Sequence, residues 1–149
     1  MQLQTATMDD LALIGGWFDS PAALTLWGGP RLGYPPEPGR LAREMDWPEA
    51  ENLLWRKRGE PVAFVQLFRR ESRRHIARLA VSPPARGQGL ARMLLAELFQ
   101  RCPGEDFSLA VYRDNLRALR LYRELGFVES GTVDAVPDCL MMVRRHGDD

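Results

Sequence analysis

The run Leu79-Ala80-Val81-Ser82-Pro83-Pro84-Ala85-Arg86-Gly87-Gln88-Gly89-Leu90-Ala91 sets a glycine-rich turn directly ahead of an amphipathic helix. A helix start offers backbone N–H groups without intrahelical partners, together with the positive end of the helix dipole. Gly87 and Gly89 carry no Cβ to hold an anion off the backbone. The chemistry this predicts is capture of a phosphate or pyrophosphate over residues 86–91. A tight strand-to-helix connection with no ligand has the same signature, so the turn alone leaves both open. Two nucleotide motifs are excluded: no Lys-Ser or Lys-Thr follows the glycines, and Arg92 stands where a dinucleotide fingerprint needs Gly or Ala.

A second candidate lies downstream. Asn115 can cap a helix carrying Ala118, Leu121, Tyr122 and Leu125 on one face, with Gly126 at its stop. The Tyr122 phenol could donate a proton, although an aromatic at helical spacing is also ordinary core material. His75, on the strand ahead of the turn, titrates near neutral pH, and it reads equally as a half-exposed strand histidine beside Arg73 and Arg74. Cys102, Cys139, His75 and His146 are too few and too scattered for a Cys/His zinc site, so no metal is expected.

Together these segments resemble the GNAT acetyltransferases. Arg86-Gly87-Gln88-Gly89-Leu90-Ala91 matches the family's [Q/R]-x-x-G-x-[G/A] motif, with Leu79-Ala80-Val81-Ser82-Pro83 similar to its lead-in strand. Asn115, Ala118, Leu121-Tyr122 and Leu125-Gly126-Phe127 resemble its N…A…LY…LGF segment. The two motifs span residues 79–127, about one third of the chain, and their order is more specific than either alone.

The resemblance implies acetyl-CoA as acyl donor and a sheet that splays between its fourth and fifth strands. Leu79, Ala80 and Val81 would pair with the pantetheine amides. Arg86, Gly87, Gln88, Gly89, Leu90 and Ala91 would hold the pyrophosphate, with Arg86 and Arg92 adding charge and Asn115 a further contact. Leu90 and Met93 are otherwise assigned to the core. Tyr122 is the expected general acid, protonating the CoA thiolate as a tetrahedral intermediate collapses. An acceptor ammonium, near pKa ~10.4 for a lysine, must first lose a proton. His75 is the first candidate base by the family pattern, ahead of Glu71 and Glu129, and a water chain would need none. The oxyanion would rest on a main-chain N–H near Val81.

The acceptor would be a primary amine of a small molecule, amino acid or peptide; the lead-in strand also resembles bacterial protein N-terminal acetyltransferases. Trp27, Tyr34 and Trp47 would face residues 131–140 across the acceptor pocket, with 27–39 as a lid and Asp134 and Asp138 attracting the amine. A homodimer through the C-terminal strands fits the family. The competing reading is a non-catalytic acyl-CoA sensor or structural module.

Several elements must position these groups. Residues 2–6 predict a first strand, and Leu11, Ile14 and Trp17 or Phe18 a helix capped by Thr7 or Asp9. The Pro and Gly density from Thr25 to Arg40 argues for irregular chain, followed by a short helix over 41–45. Residues 52–57 and 62–69 flank Arg58-Gly59-Glu60-Pro61 as a hairpin, and 75–81 extends that sheet. A helix over 90–102, a strand over 107–112, the Asn115 helix and strands near 127–133 and 138–145 complete one α+β domain. The expected sheet is mixed and mostly antiparallel, of six to seven strands, flanked by about four helices.

The chain has 149 residues, and its 20 basic side chains equal its 20 acidic ones, which points away from nucleic acid and anionic membrane surfaces. No apolar run approaches ~20 residues and the start lacks a signal-like pattern, so no membrane span is expected and the cytoplasm is the expected compartment.

Overall fold

The computed structural model describes residues 2–133 and 136–147. Seven strands form one sheet: β1 (Gln4–Thr5), β2 (Glu51–Lys57), β3 (Glu60–Arg70), β4 (Arg73–Val81), β5 (Asp106–Tyr112), β6 (Val128–Val133) and β7 (Val136–Arg144). Their order is β1-β2-β3-β4-β5-β7-β6, antiparallel throughout except where β4 and β5 run parallel. Five helices flank it: α1 (Met8–Gly15), α2 (Pro21–Gly28), α3 (Pro38–Glu44), α4 (Leu90–Arg101) and α5 (Leu116–Glu124). This is the expected α+β architecture with its mixed, mostly antiparallel sheet.

Local chemistry sets the helix starts. Thr7 and Asp10 form a reciprocal capping box at α1. The Ser20 side chain accepts from the Ala23 N–H, and Pro21 takes the first helical position, where its missing N–H costs nothing. The Pro- and Gly-rich region is therefore helical as far as Gly28, earlier than its composition suggests, and irregular only between α2 and α3. The β2–β3 turn uses Arg58 and Gly59 at φ 54° and 81°, the double left-handed geometry of a two-residue hairpin.

The sheet separates two cores. On one face Leu94, Leu95 and Leu98 of α4 and Leu119 of α5 pack on Val65, Leu67, Ile76 and Phe107. On the other, α1, α2 and α3 bring Leu11, Ile14, Leu24 and Leu41 against Leu54 and Phe64. Each fully buried leucine contributes roughly 1.5–3 kcal/mol of transfer free energy. Met93, assigned to the core from its spacing, is instead 53% exposed, because the α4 stripe is centred on Leu94, Leu95 and Leu98.

Candidate active site

The parallel pairing of β4 with β5 covers only Arg73–Ile76 against Asp106–Leu109. Beyond Ile76 the strands part, and the cause lies on β4. Gln66 of β3 pairs with Ala77 and Phe64 with Ala80, so Arg78 and Leu79 together oppose one residue. Arg78 takes φ 53°, and this bulge turns the end of β4 away from β5.

A cavity of about 420 Å³ opens in the gap. Its strand walls are residues 76–81 of β4 and 109–112 of β5. On the α4–α5 side it is lined by Ala91, Asn115, Ala118, Leu121 and Tyr122, and on the α2 side by Phe18, Ala23, Leu26 and Trp27. The cavity thus reaches both faces of the sheet, and its size suits a substrate-binding cleft.

At its mouth, Gly87 and Gly89 adopt φ 79° and 77°, and Gly89 is the N-cap of α4 without any side-chain cap. Among the described residues the N–H groups of residues 87–92 have no protein partner. A row of unpaired amides at a helix start is the arrangement that binds phosphate. Arg86 is exposed beside it, its Nε donating to the Val81 carbonyl at 3.1 Å and its side chain lining the cavity. Arg92 is instead ion-paired with Glu124 on α5. Gln88 and Leu90 line a neighbouring hollow against the β2–β3 hairpin, and Leu90 also packs on the core.

Tyr122 lies across the gap from β4. Its ring packs edge-on against Phe127 at 5.8 Å, and burial pushes the phenol up to about 12. The group is therefore a protonated donor at neutral pH. Asn115 lines the same wall, and its Oδ1 accepts from the Ala118 N–H at 3.3 Å.

His75 is not with these groups. It is buried ahead of the gap, with Nδ1 and the Ser108 Oγ 2.8 Å apart, and it does not line the cavity. Burial, followed by the charges of Arg70, Arg78 and Arg73, lowers its pKa to about 3. A ring so placed and so weakly basic is a poor general base, and the geometry withdraws the role suggested by its position in sequence. Glu71 is exposed in the β3–β4 turn and Glu129 pairs with Arg123 on the surface, both outside the cavity lining.

Of the three aromatic acceptor candidates only Trp27 lines the cavity; Tyr34 is exposed and Trp47 stacks on Phe64 at 6.1 Å. Asp138 lines an adjoining hollow with Asp114, Tyr112 and Leu26. Asp134 lies outside the described residues. Sequence reasoning missed Arg78, whose only signal is a charge inside an otherwise apolar strand end.

The model of the acetyltransferase (GNAT) family matches residues 22–127. The chain belongs to this family. Solved structures of the same fold include an acetyltransferase from Thermus thermophilus (21% identity, TM-score 0.76, covering 97% of this chain and 96% of that one). Another is the ribosomal-protein-S18-alanine N-acetyltransferase of Escherichia coli (22%, 0.67, 97% and 92%). A third is an N-acetyltransferase of Thermoplasma acidophilum in complex with coenzyme A (15%, 0.68, 97% and 98%). No helix among the described residues is long and apolar enough to cross a membrane.

Proposed function

We propose that this chain transfers the acetyl group of acetyl-CoA to a primary amine. The observation that carries the reading is one continuous path: unpaired amides over 87–92, a cavity through the parted strands, and a protonated phenol at its wall. The amides and Arg86 receive the pyrophosphate, and the free edge of β4 at Leu79, Ala80 and Val81 pairs with the pantetheine arm. The amine nitrogen bonds to the acetyl carbon as the carbonyl π pair moves onto oxygen, and the oxyanion then re-forms the carbonyl as the carbon–sulfur bond breaks. Sulfur takes its proton from Tyr122, and the nitrogen loses one. Among the described residues neither carboxylate nor imidazole lines the cavity, which favours loss of that proton to water. The N–H of Val81 serves the oxyanion.

The test is acetyl-CoA binding by calorimetry, then thiol release against a panel of amines on the same sample. Micromolar binding with amine-dependent release supports the transferase. Binding with no release from any amine favours an acyl-CoA sensor, and absence of binding overturns both.

A further inference from the structure

Arg78 is held by its surroundings on three bonds. Nε donates to the Gly28 carbonyl at 3.0 Å, and Nη1 donates to the Gln66 Oε1 at 2.7 Å and the Met45 carbonyl at 3.3 Å. Gln66 is itself fully buried and fixed, its Nε2 donating to the Asn52 Oδ1 at 2.8 Å and the Met45 carbonyl at 3.0 Å. Asn52 in turn donates to the Trp47 carbonyl at 2.9 Å. The guanidinium is thus locked in orientation by α2, β3 and the end of α3, all on the α2 side of the sheet. No carboxylate lies within ion-pair distance of it among the described residues; burial lowers its pKa to about 10, against the longer-range pull of the Asp46 carboxylate. Nη2 has no protein partner among those residues and is not sealed from solvent.

A further observation bears on what meets that free edge. The cavity is lined by Arg78, Arg86 and Arg117 and by no aspartate or glutamate among the described residues. An unmet guanidinium N–H at the cavity favours an anionic acceptor atom.

We propose that the acceptor amine carries a carboxylate, received by Nη2 of Arg78 on the α2 side of the cavity. The acceptor class is therefore an amino acid or a close analogue. This rests on the transferase reading and narrows it. Tyr122 and the phosphate-binding amides serve the donor from the α4–α5 side, while Arg78 orients the acceptor from the other.

The test pairs each of the twenty amino acids with its carboxamide and reads thiol release at saturating acetyl-CoA. The carboxamide is nearly isosteric and its less basic amine is unprotonated to a greater extent near neutral pH, so the free-amine supply favours it, and a carboxylate preference must come from the protein. The expected result is at least one pair in which the acid is preferred by ~10-fold or more in kcat/KM. Arg78→Met should remove the preference through KM, and Arg78→Lys should restore part of it. Because Arg78→Met also strips partners from Gln66 and Gly28, acetyl-CoA affinity is measured on the same variant and should match the parent. Amides used as well as acids, or a preference that survives Arg78→Met, overturns the proposal. Release from no pair, on protein that binds acetyl-CoA, overturns it while leaving the transferase reading in place. Failure to bind acetyl-CoA brings down both.

Discussion

Arg78 and Tyr122 line one cavity from opposite faces of the sheet: the guanidinium is anchored among α2 and the end of α3, and the phenol stands on α5. A continuous sheet would separate them. The bulge at Arg78 parts β4 from β5, so the residue that opens the passage also stands in it. Donor and acceptor can then approach from different sides and meet between the strands, which fixes their relative orientation before any bond changes.

Replacing Tyr122 by Phe removes the proton donor and keeps the ring that packs on Phe127. Acetyl-CoA affinity should stay near that of the parent, while kcat falls by about 10- to 10³-fold. The pH profile supplies a second check. A phenol raised to about 12 remains protonated across the working range, so the parent should show no falling limb from this group below about pH 11. A descending limb near pH 10 that vanishes in Tyr122→Phe would contradict the shift, and undiminished turnover would return Tyr122 to a packing role.

Gly89 separates two effects that one bulky substitution would merge. A Cβ there meets nothing within 4 Å, so the free protein has room, but φ of 77° strains any ordinary L-residue. Gly89→Val should therefore cost about 1–2 kcal/mol of stability as well as acetyl-CoA affinity. Asn tolerates the left-handed region far better. Gly89→Asn should keep a near-parent unfolding midpoint and still weaken acetyl-CoA, since its side chain projects where the pyrophosphate must come close. Parent-like affinity in Gly89→Asn would remove this turn from the site.

The strands, α4, α5 and the glycine turn ahead of α4 were legible because each is written in local pattern: period-2 runs, a broad apolar stripe, a cap at Asn115 and paired glycines. The helix α2 was not, since the Pro and Gly density from Thr25 onward reads as irregular chain, whereas Ser20 caps the helix, Pro21 takes its first position and Gly28 ends it. Arg78 was hidden for a different reason. A bulge is a mismatch between two strands, and β4 alone carries no sign that Val65 will face two residues instead of one. His75 shows the reverse error: its place along the chain suggested the site, whereas register beside Phe68 and Ser108 buries it ahead of the gap. Sequence distance to the turn said nothing about the cavity.

That burial gives His75 a role in acid stability that can be measured. Its folded-state pKa is about 3 against 6.5 for the free side chain, so between those values the unfolded chain binds the extra proton and the folded chain does not. Stability contributed by the neutral ring is complete above about pH 6.5 and falls steadily as the pH drops towards 3. His75→Gln retains a polar side chain for Ser108 and cannot titrate. Denaturant unfolding should then show a shallower loss of stability for His75→Gln than for the parent between pH 6.5 and 4, with the two curves parallel above pH 7. The carboxylates titrate alike in both proteins, so the difference isolates this ring. Identical slopes would mean that His75 is protonated in the folded state. The same variant checks the withdrawn catalytic role: kcat at pH 8 should stay within about 3-fold of the parent, well short of the 10²- to 10⁴-fold expected on losing a general base.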